Sequence, residues 1–426
     1  MYLSKEEERM LNGEYGSGVA YSMEILTKVG DAYKAERMIP VGGAHVFVWK
    51  VDGRPQGKLI LDKFAEIVEG TKLRVPCTTN SLVLNPNLAD KLGIPEDVLE
   101  THKGNIQKLV DLARQIGAIP VWSCHYHYPY EPKLGDHYAL TQSNVCMFAN
   151  AWYGIRSNME GDITALASAV TGKTPEYNLH LTENRYGHVL VRLSDEINPK
   201  KLTEADFGAI SYCAGEKIRD DRIPVYEGFP RDTSATQVKY IQPQIAHSSS
   251  AMFHIVGVTP EAPTLEAAFG GDKPEDRITI GKEELRDTYE ELNTADDDKV
   301  DFVGIGCPHC TLEEVEKIAR LLSGKKVKPG VRLFVSTSSP VKAVAEEMGL
   351  VSQIEAAGGV VLTDMCAMGV LRLELIERWN IKVAATNSGT AAMIRTKHPV
   401  VLPGVGVWFG DLEKCIQAAV SGRWSD

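Results

Sequence analysis

Apolar positions in the last third of the chain alternate between two periods. Val300 to Gly306 is a short, β-branched apolar run ending in glycine, the signature of a buried strand. Beyond it, Leu312, Val315, Ile318, Ala319 and Leu322 fall on one helical face, and Thr311 and Glu314 have the spacing of a capping box at its start. The pattern then repeats. Val331 to Val335 reads as a strand, Ser339-Pro340 opens a helix with proline in its first turn, and Val360 to Leu362 reads as a third strand. A short helix around Leu371 to Trp379 and a fourth strand at Ile381 to Ala385 follow. Strands alternating with helices every roughly 25–30 residues imply right-handed crossovers and a parallel sheet covered on both faces. The fold class is therefore α/β, with a doubly wound domain over 296–426 and a mixed α/β region, of one or two subdomains, over 1–295.

That first region is less regular. Glu6 to Tyr33 reads as helical, as does Asn105 to Ile116 through Ile106, Leu109, Val110, Leu112 and Ile116, and Ala118 to Trp122 reads as a strand. The polar, acidic stretch Glu261 to Asp298 is the best linker candidate, although Arg277 to Asn293 has room for a strand and a helix. No solenoid-length repeat or low-complexity tract is present.

Length and charge narrow the function. At 426 residues, 43% of them hydrophobic, the chain is too long for one ordinary core. With 57 acidic against 46 basic residues and a net charge of -11, its surface repels phosphate backbones, and Lys325-Lys326-Val327-Lys328 is too short a basic run to change that. Nucleic acid is not an expected partner. Met1 to Arg9 is charged, unlike a secretion signal, and no run reaches the ~18 apolar residues that would cross a bilayer. The expectation is a cytoplasmic protein with no membrane association.

Eight scattered cysteines in a reducing compartment read as buried thiols, ligands or nucleophiles rather than disulfides. In open α/β sheets, ligands bind beyond the carboxyl ends of strands. Three unusual segments lie at such ends: Gly306-Cys307-Pro308-His309-Cys310, Thr363-Asp364-Met365-Cys366, and Thr386-Asn387-Ser388-Gly389. A fourth, Trp122-Ser123-Cys124-His125, ends a strand of the first region. Three thiolates from separate strand ends suit an iron–sulfur cluster, and three ligands rather than four leave one iron open as a Lewis acid. Cys307 and Cys310 equally suit a redox dithiol, or half a zinc site completed by Cys124, His125 or His127. On the residues alone these three readings stay level. Cys77, Cys146, Cys213 and Cys415 read as packing.

Longer segments carry a resemblance. Met1 to Gly16, Gly43-Ala44-His45, Ile155 to Gly161, Thr171 to Tyr177, Leu179 to Arg185, Gly306 to His309, Asp364 to Cys366, Asn387 to Gly389 and Cys415 occur in the order seen in aconitase X large subunits. The chain resembles that family over nearly its whole length. The resemblance implies an aconitase-like multi-domain arrangement and a hydro-lyase, the family including cis-3-hydroxy-L-proline and mevalonate 5-phosphate dehydratases. It implies an iron–sulfur cluster held by Cys124, Cys307 and Cys366 at the domain junction, 4Fe–4S being favoured and 3Fe–4S or 2Fe–2S remaining open. It also implies a small swivelling subunit, separate here, whose serine acts as base.

Four segments depart from the family pattern. An arginine is replaced by Met159, a lysine by Thr390, and the stretches Ser123 to Tyr130 and Leu140 to Cys146 are rewritten. Because arginine and lysine grip carboxylate and phosphate, the losses argue against the known substrates, the phosphorylated one above all. A subunit that has lost catalysis and serves as scaffold is the further alternative. Arg156 and Arg185 are candidates for gripping a carboxylate, against a surface or interdomain salt bridge, and Asn158 joins them by resemblance. Asn387, Ser388 and Gly389 offer donors to an anionic group at a helix start, against simple capping. His45 is a candidate for handling the leaving hydroxyl, against a satisfied core histidine. His309 and Asp364 flank ligand positions, and Tyr126, Tyr128 and Tyr130 either line a pocket or pack an ordinary loop.

Overall fold

The computed structural model describes residues 1–46, 55–124, 132–372, 374–397 and 404–425. The chain forms two compact units, one of Met1–Val83 and Leu99–Tyr186, the other of Leu84–Val98 and Gly187–Asp426.

In the first unit, β1 (Met38–Pro40) and β6 (Lys173–Pro175) make an antiparallel ribbon. Between them in sequence, β2 (Gly43–Val46), β3 (Cys77–Thr79), β4 (Tyr138–Thr141) and β5 (Met159–Glu160) form a parallel sheet in the order β3-β2-β4-β5. The helix expected over Glu6 to Tyr33 is two helices, Lys5–Leu11 and Ser17–Ala32. The break between them holds Gly13 and Gly16, both at positive φ (+85° and +100°), which only glycine adopts cheaply. The strand expected at Ala118 to Trp122 shrinks to a single bridge from Ile119 to Thr78, because the Val121 N–H, next in line for that ladder, turns back to the Ile119 carbonyl (2.8 Å) and Trp122 follows at φ +44°.

In the second unit, β7 (Val189–Leu193), β8 (Pro224–Glu227), β9 (His254–Ile255) and β10 (Asp276–Ile280) form a parallel sheet in the order β10-β7-β8-β9. The stretch expected to be a linker is thus structural. β10 pairs along its whole length with β7, and the helix Lys282–Leu292 packs on Glu204–Ile218 with Leu292 fully buried. Its acidic residues line the solvent side, which is why composition alone suggested a linker.

The remaining sheet comprises β11 (Phe302–Cys310), β12 (Arg332–Thr337), β13 (Gly359–Thr363), β14 (Val383–Thr386) and β15 (Gly406–Phe409), all parallel, in the order β13-β12-β11-β14-β15. Four of these strands and the helix Leu312–Leu322 with its Thr311/Glu314 capping box fall where the periodicity places them. The fifth strand was not anticipated. The helix around Leu371 to Trp379 is a 3-10 turn, Gly369–Arg372, and one α-turn, Leu375–Arg378. The connections run one way from β11 to β12 and β13, then switch to β14 on the other side of β11, which puts the topological switch point, where open α/β sheets bind ligands, at the carboxyl ends of β11 and β14. The segment Leu84–Val98, remote in sequence, belongs to this unit through Asn85, Lys91 and Asp97, which bond Asp364, Glu355 and Arg378. Among the described residues no helix is long and apolar enough to cross a membrane.

Candidate active site

The first cysteine segment is placed by a bulge. Ile305 pairs with Val335 and Cys310 with Thr337, so β11 advances five residues while β12 advances two. Gly306 makes the turn at φ +98°, where a Cβ would stand 2.3 Å from the Ser336 carbonyl oxygen. The surplus residues leave the ladder, and Cys307 emerges half-buried while Cys310 returns to the core at 1% exposure.

Asp364 follows β13 at φ +67°. Its Oδ1 accepts from Ser339 Oγ (2.8 Å) and its Oδ2 from Asn85 Nδ2 (3.1 Å), while burial holds the carboxyl above its ordinary pKa. Cys366, two residues on, is half-buried. After β14, the Ser388 N–H donates to Thr386 Oγ1 (3.2 Å), and Ser388 Oγ accepts from the Ala391 N–H (3.1 Å), capping the helix Gly389–Lys397. Gly389 is required by packing, since a Cβ there would lie 2.8 Å from Pro243 Cγ.

Beneath this edge runs a buried polar chain. Lys239, 1% exposed, donates to the His309 carbonyl (3.0 Å) and pairs with Glu314 Oε2. Glu314 Oε1 accepts from Tyr240 Oη (2.5 Å), and Tyr240 Oη lies 3.0 Å from Asn387 Nδ2. Glu314 also takes the Thr311 N–H at 2.8 Å, so one carboxylate serves as helix cap and ion-pair partner. His309 is buried and neutral, its pKa pushed down to about 4 by burial first and then by the Lys239 charge.

In the first unit, His45 is fully buried with Nδ1 2.8 Å from Thr78 Oγ1 and Nε2 2.9 Å from Asn80 Nδ2. Asn80 Oδ1 accepts the Ser81 N–H (2.7 Å), which turns its Nδ2 toward the imidazole. Nε2 is therefore the acceptor and Nδ1 carries the proton. Burial lowers the His45 pKa to about 3, so the ring is neutral and committed on both nitrogens.

Arg156, Asn158 and Arg185 gather around one segment. Arg156 donates to the His180 carbonyl (3.0 Å) and Thr182 Oγ1 (2.7 Å); Asn158 holds the Tyr177 carbonyl (3.3 Å) and the Leu179 N–H (3.0 Å). Arg185, 2% exposed, donates to the Leu179 carbonyl (3.1 Å) and to Asn150 Oδ1 (3.4 Å). Arg156 is half-buried and has no carboxylate within salt-bridge range among the described residues. His180 is buried beside it, its Nδ1 3.0 Å from that of His137, and its pKa is lowered to about 3 by burial.

The eight cysteines divide cleanly. Cys124, Cys307 and Cys366 are half-buried; Cys77, Cys146, Cys213, Cys310 and Cys415 are buried. Burial pushes the Cys77 thiol up to about 12 and those of Cys146, Cys213 and Cys415 above their ordinary value, which suppresses the thiolate that a metal requires. The half-buried three therefore remain as the candidate thiolate donors. Among the described residues no three His, Cys, Asp or Glu side chains converge as ligands of a single ion would. His125, His127, Tyr126, Tyr128 and Tyr130 lie outside the described residues.

Sequence reasoning missed Lys239, Tyr240, Asn80 and Asn85. The one available signal was Lys239 within the apolar run Val238-Lys239-Tyr240-Ile241, a charge where a core position is expected.

Comparison with known proteins gives a consistent picture. The family models described as Aconitase X first, second and third domain match residues 1–183, 187–290 and 300–421. The phosphomevalonate dehydratase large subunit of Methanocaldococcus jannaschii is 35% identical over 98% of this chain and 100% of its own length. The cis-3-hydroxy-L-proline dehydratase of Pseudomonas aeruginosa is 30% identical over 98% of this chain and 70% of its own. The crystal structure of Thermococcus kodakaraensis aconitase X in its holo form superimposes with a TM-score of 0.84 at 32% identity, covering 98% of this chain and 100% of that one.

Proposed function

Because the chain belongs to the aconitase X family and is a hydro-lyase, we propose that it is the cluster-bearing large subunit of a cytoplasmic iron–sulfur dehydratase acting on a small, unphosphorylated hydroxy acid. The observation that carries this reading is the exposure of Cys124, Cys307 and Cys366 alone among eight cysteines. These three are the ligands, with a 4Fe–4S cluster as the favoured form. Bound on three thiolates, such a cluster supplies a Lewis-acidic iron to a hydroxyl leaving group.

The chain's own residues bind and orient. Arg156, braced by the His180 carbonyl and Thr182, grips the substrate carboxylate. Arg185 and Asn158 hold the Tyr177 to Leu179 backbone that leads into the His180 carbonyl bonded by Arg156. The amides at the start of Gly389–Lys397 and the Ser388 hydroxyl receive anionic oxygen. Asp364 braces the turn that carries Cys366 through Ser339 and Asn85. His45, neutral with both nitrogens engaged, positions the β2–β3 edge. The proton from carbon goes to a serine of a small partner subunit, as family members work as large and small subunits.

The relatives' names give two starting substrates, phosphomevalonate and cis-3-hydroxy-L-proline. Met159, 37% exposed, and Thr390, engaged with Gln242, stand where the family carries cations, which disfavours a phosphorylated acid. Anaerobic purification with iron, sulfide and zinc analysis tests the reading. Iron and acid-labile sulfide that disappear in Cys124→Ser, Cys307→Ser and Cys366→Ser but persist in Cys310→Ser support it. Stoichiometric zinc without sulfide overturns it.

A further inference from the structure

The buried chain under the β14 edge decides which way round Asn387 presents its amide. An ammonium only donates, so Lys239 faces Glu314 as a carboxylate, an acceptor on both oxygens. Glu314 Oε1, 2.5 Å from Tyr240 Oη, takes the single phenolic proton. The phenol oxygen then has nothing to donate to Asn387 and can only accept. The amide atom 3.0 Å away must therefore be Nδ2, since Oδ1 in its place would set two acceptors against each other. Oδ1 is left on the opposite side. It is buried and has no hydrogen-bond partner among the described residues, in a side chain only 1% exposed.

A buried acceptor without a donor is costly to keep, and such atoms mark places where something else supplies the partner. Asn387 stands one residue before Ser388, the cap of a nine-residue helix whose first amides point donors outward. The edge thus offers two opposite polarities side by side. Backbone N–H groups suit anionic oxygen; Asn387 Oδ1 repels it and accepts only from an O–H or N–H. A hydroxy acid carries both complements.

We propose that Asn387 recognises the substrate's hydroxyl through Oδ1, and that Lys239, Glu314 and Tyr240 are the positioning residues that lock the amide in this sense. This changes the part given to Asn387 by its sequence context, from a donor for an anion to an acceptor for a hydroxyl, and it rests on the hydro-lyase reading of the same site.

The test pairs a ligand-free and a ligand-bound measurement. Asn387→Leu keeps the size and removes the acceptor. In the ligand-free protein it is introduced into Tyr240→Phe, where Nδ2 has already lost its partner, and melts at or above the Tyr240→Phe variant, because a desolvated acceptor has been removed. For binding, the cluster-loaded chain is titrated with cis-3-hydroxy-L-proline against L-proline and with malate against succinate. Wild type favours the hydroxylated member of whichever pair binds by about tenfold or more. Asn387→Leu loses that preference and keeps its affinity for the deoxy member. Tyr240→Phe, which frees the amide to turn, weakens the preference. Hydroxyl preference intact in Asn387→Leu overturns the assignment while leaving the hydro-lyase reading standing. If neither pair binds, these two hydroxy acids are excluded as ligands and the melting temperature still decides Asn387. A clear drop there means Oδ1 is satisfied within the fold, and the assignment falls.

Discussion

Replacing Lys239 with methionine keeps the length of the side chain and removes its charge. The partner, Glu314, is 6% exposed and would be left as a buried carboxylate with no cation. Breaking a buried pair from one side costs about 3–5 kcal/mol, because the desolvated charge stays behind. Here Tyr240 and the Thr311 N–H still hydrogen-bond that carboxylate, which places the expected loss toward 3 kcal/mol. For a unit of this size, each kcal/mol shifts the melting temperature by roughly 2–4 °C, so Lys239→Met should melt about 6–12 °C lower. Adding Glu314→Gln removes the stranded charge and leaves one carboxamide oxygen, which keeps one of the two bonds now made to Tyr240 Oη and the Thr311 N–H. The double variant should recover to within about 1–2 kcal/mol, the remainder reflecting the lost bond to the His309 carbonyl and the one acceptor bond that the carboxamide cannot make. Urea and thermal unfolding of wild type and both variants at pH 7.5 measure both effects. A single variant within about 1 kcal/mol of wild type, or a double variant less stable than the single, would refute the buried-pair account.

Three further outcomes are expected. His45 is neutral when folded, with its pKa near 3, whereas the unfolded imidazole titrates near ~6.5; its contribution is complete above that pH and lost as pH falls through the window to 3. Urea midpoints should fall on acidification in wild type and less steeply in His45→Gln; an equal slope in both would reject the assignment. Arg156→Gln should lower kcat/KM on the accepted hydroxy acid by about 10–150-fold, mainly through KM, if a charge-assisted carboxylate contact worth ~1.5–3 kcal/mol is lost. Gly306→Ala meets the Ser336 carbonyl at 2.3 Å from a φ of +98°, so it should cost at least about 2 kcal/mol and lower bound iron together with stability; normal iron content and melting would show that the bulge does not place Cys307.

How much was legible follows from the range of each interaction. Strand and helix periods, the Thr311/Glu314 cap and the glycines at chain breaks are local, and four strands of the five-stranded sheet fell where those periods put them. The acidic stretch before β11 misled because its charged residues sit on the outer face of a helix whose inner face is buried, and composition averages the two. Ala118 to Trp122 carries a strand's composition, yet the Val121 N–H turns back to the Ile119 carbonyl instead of pairing with the neighbouring strand. The cysteines were visible as a set. Which of them keep water access was not, because burial is a property of the packed sheet.

The sequence by itself determined the α/β class, the family, the reaction type and the short list of thiols and cations, because these depend on residue identity and on spacing along one chain. Tertiary structure alone decided that β11 bulges to expel Cys307, that Asn85 reaches Asp364 across 279 positions, and that Lys239 and Glu314 neutralise one another in the core. It also decided the polarity of Asn387. Whether an amide offers its oxygen or its nitrogen depends on the protons of Tyr240 and Glu314, and only folding brings them within hydrogen-bond distance.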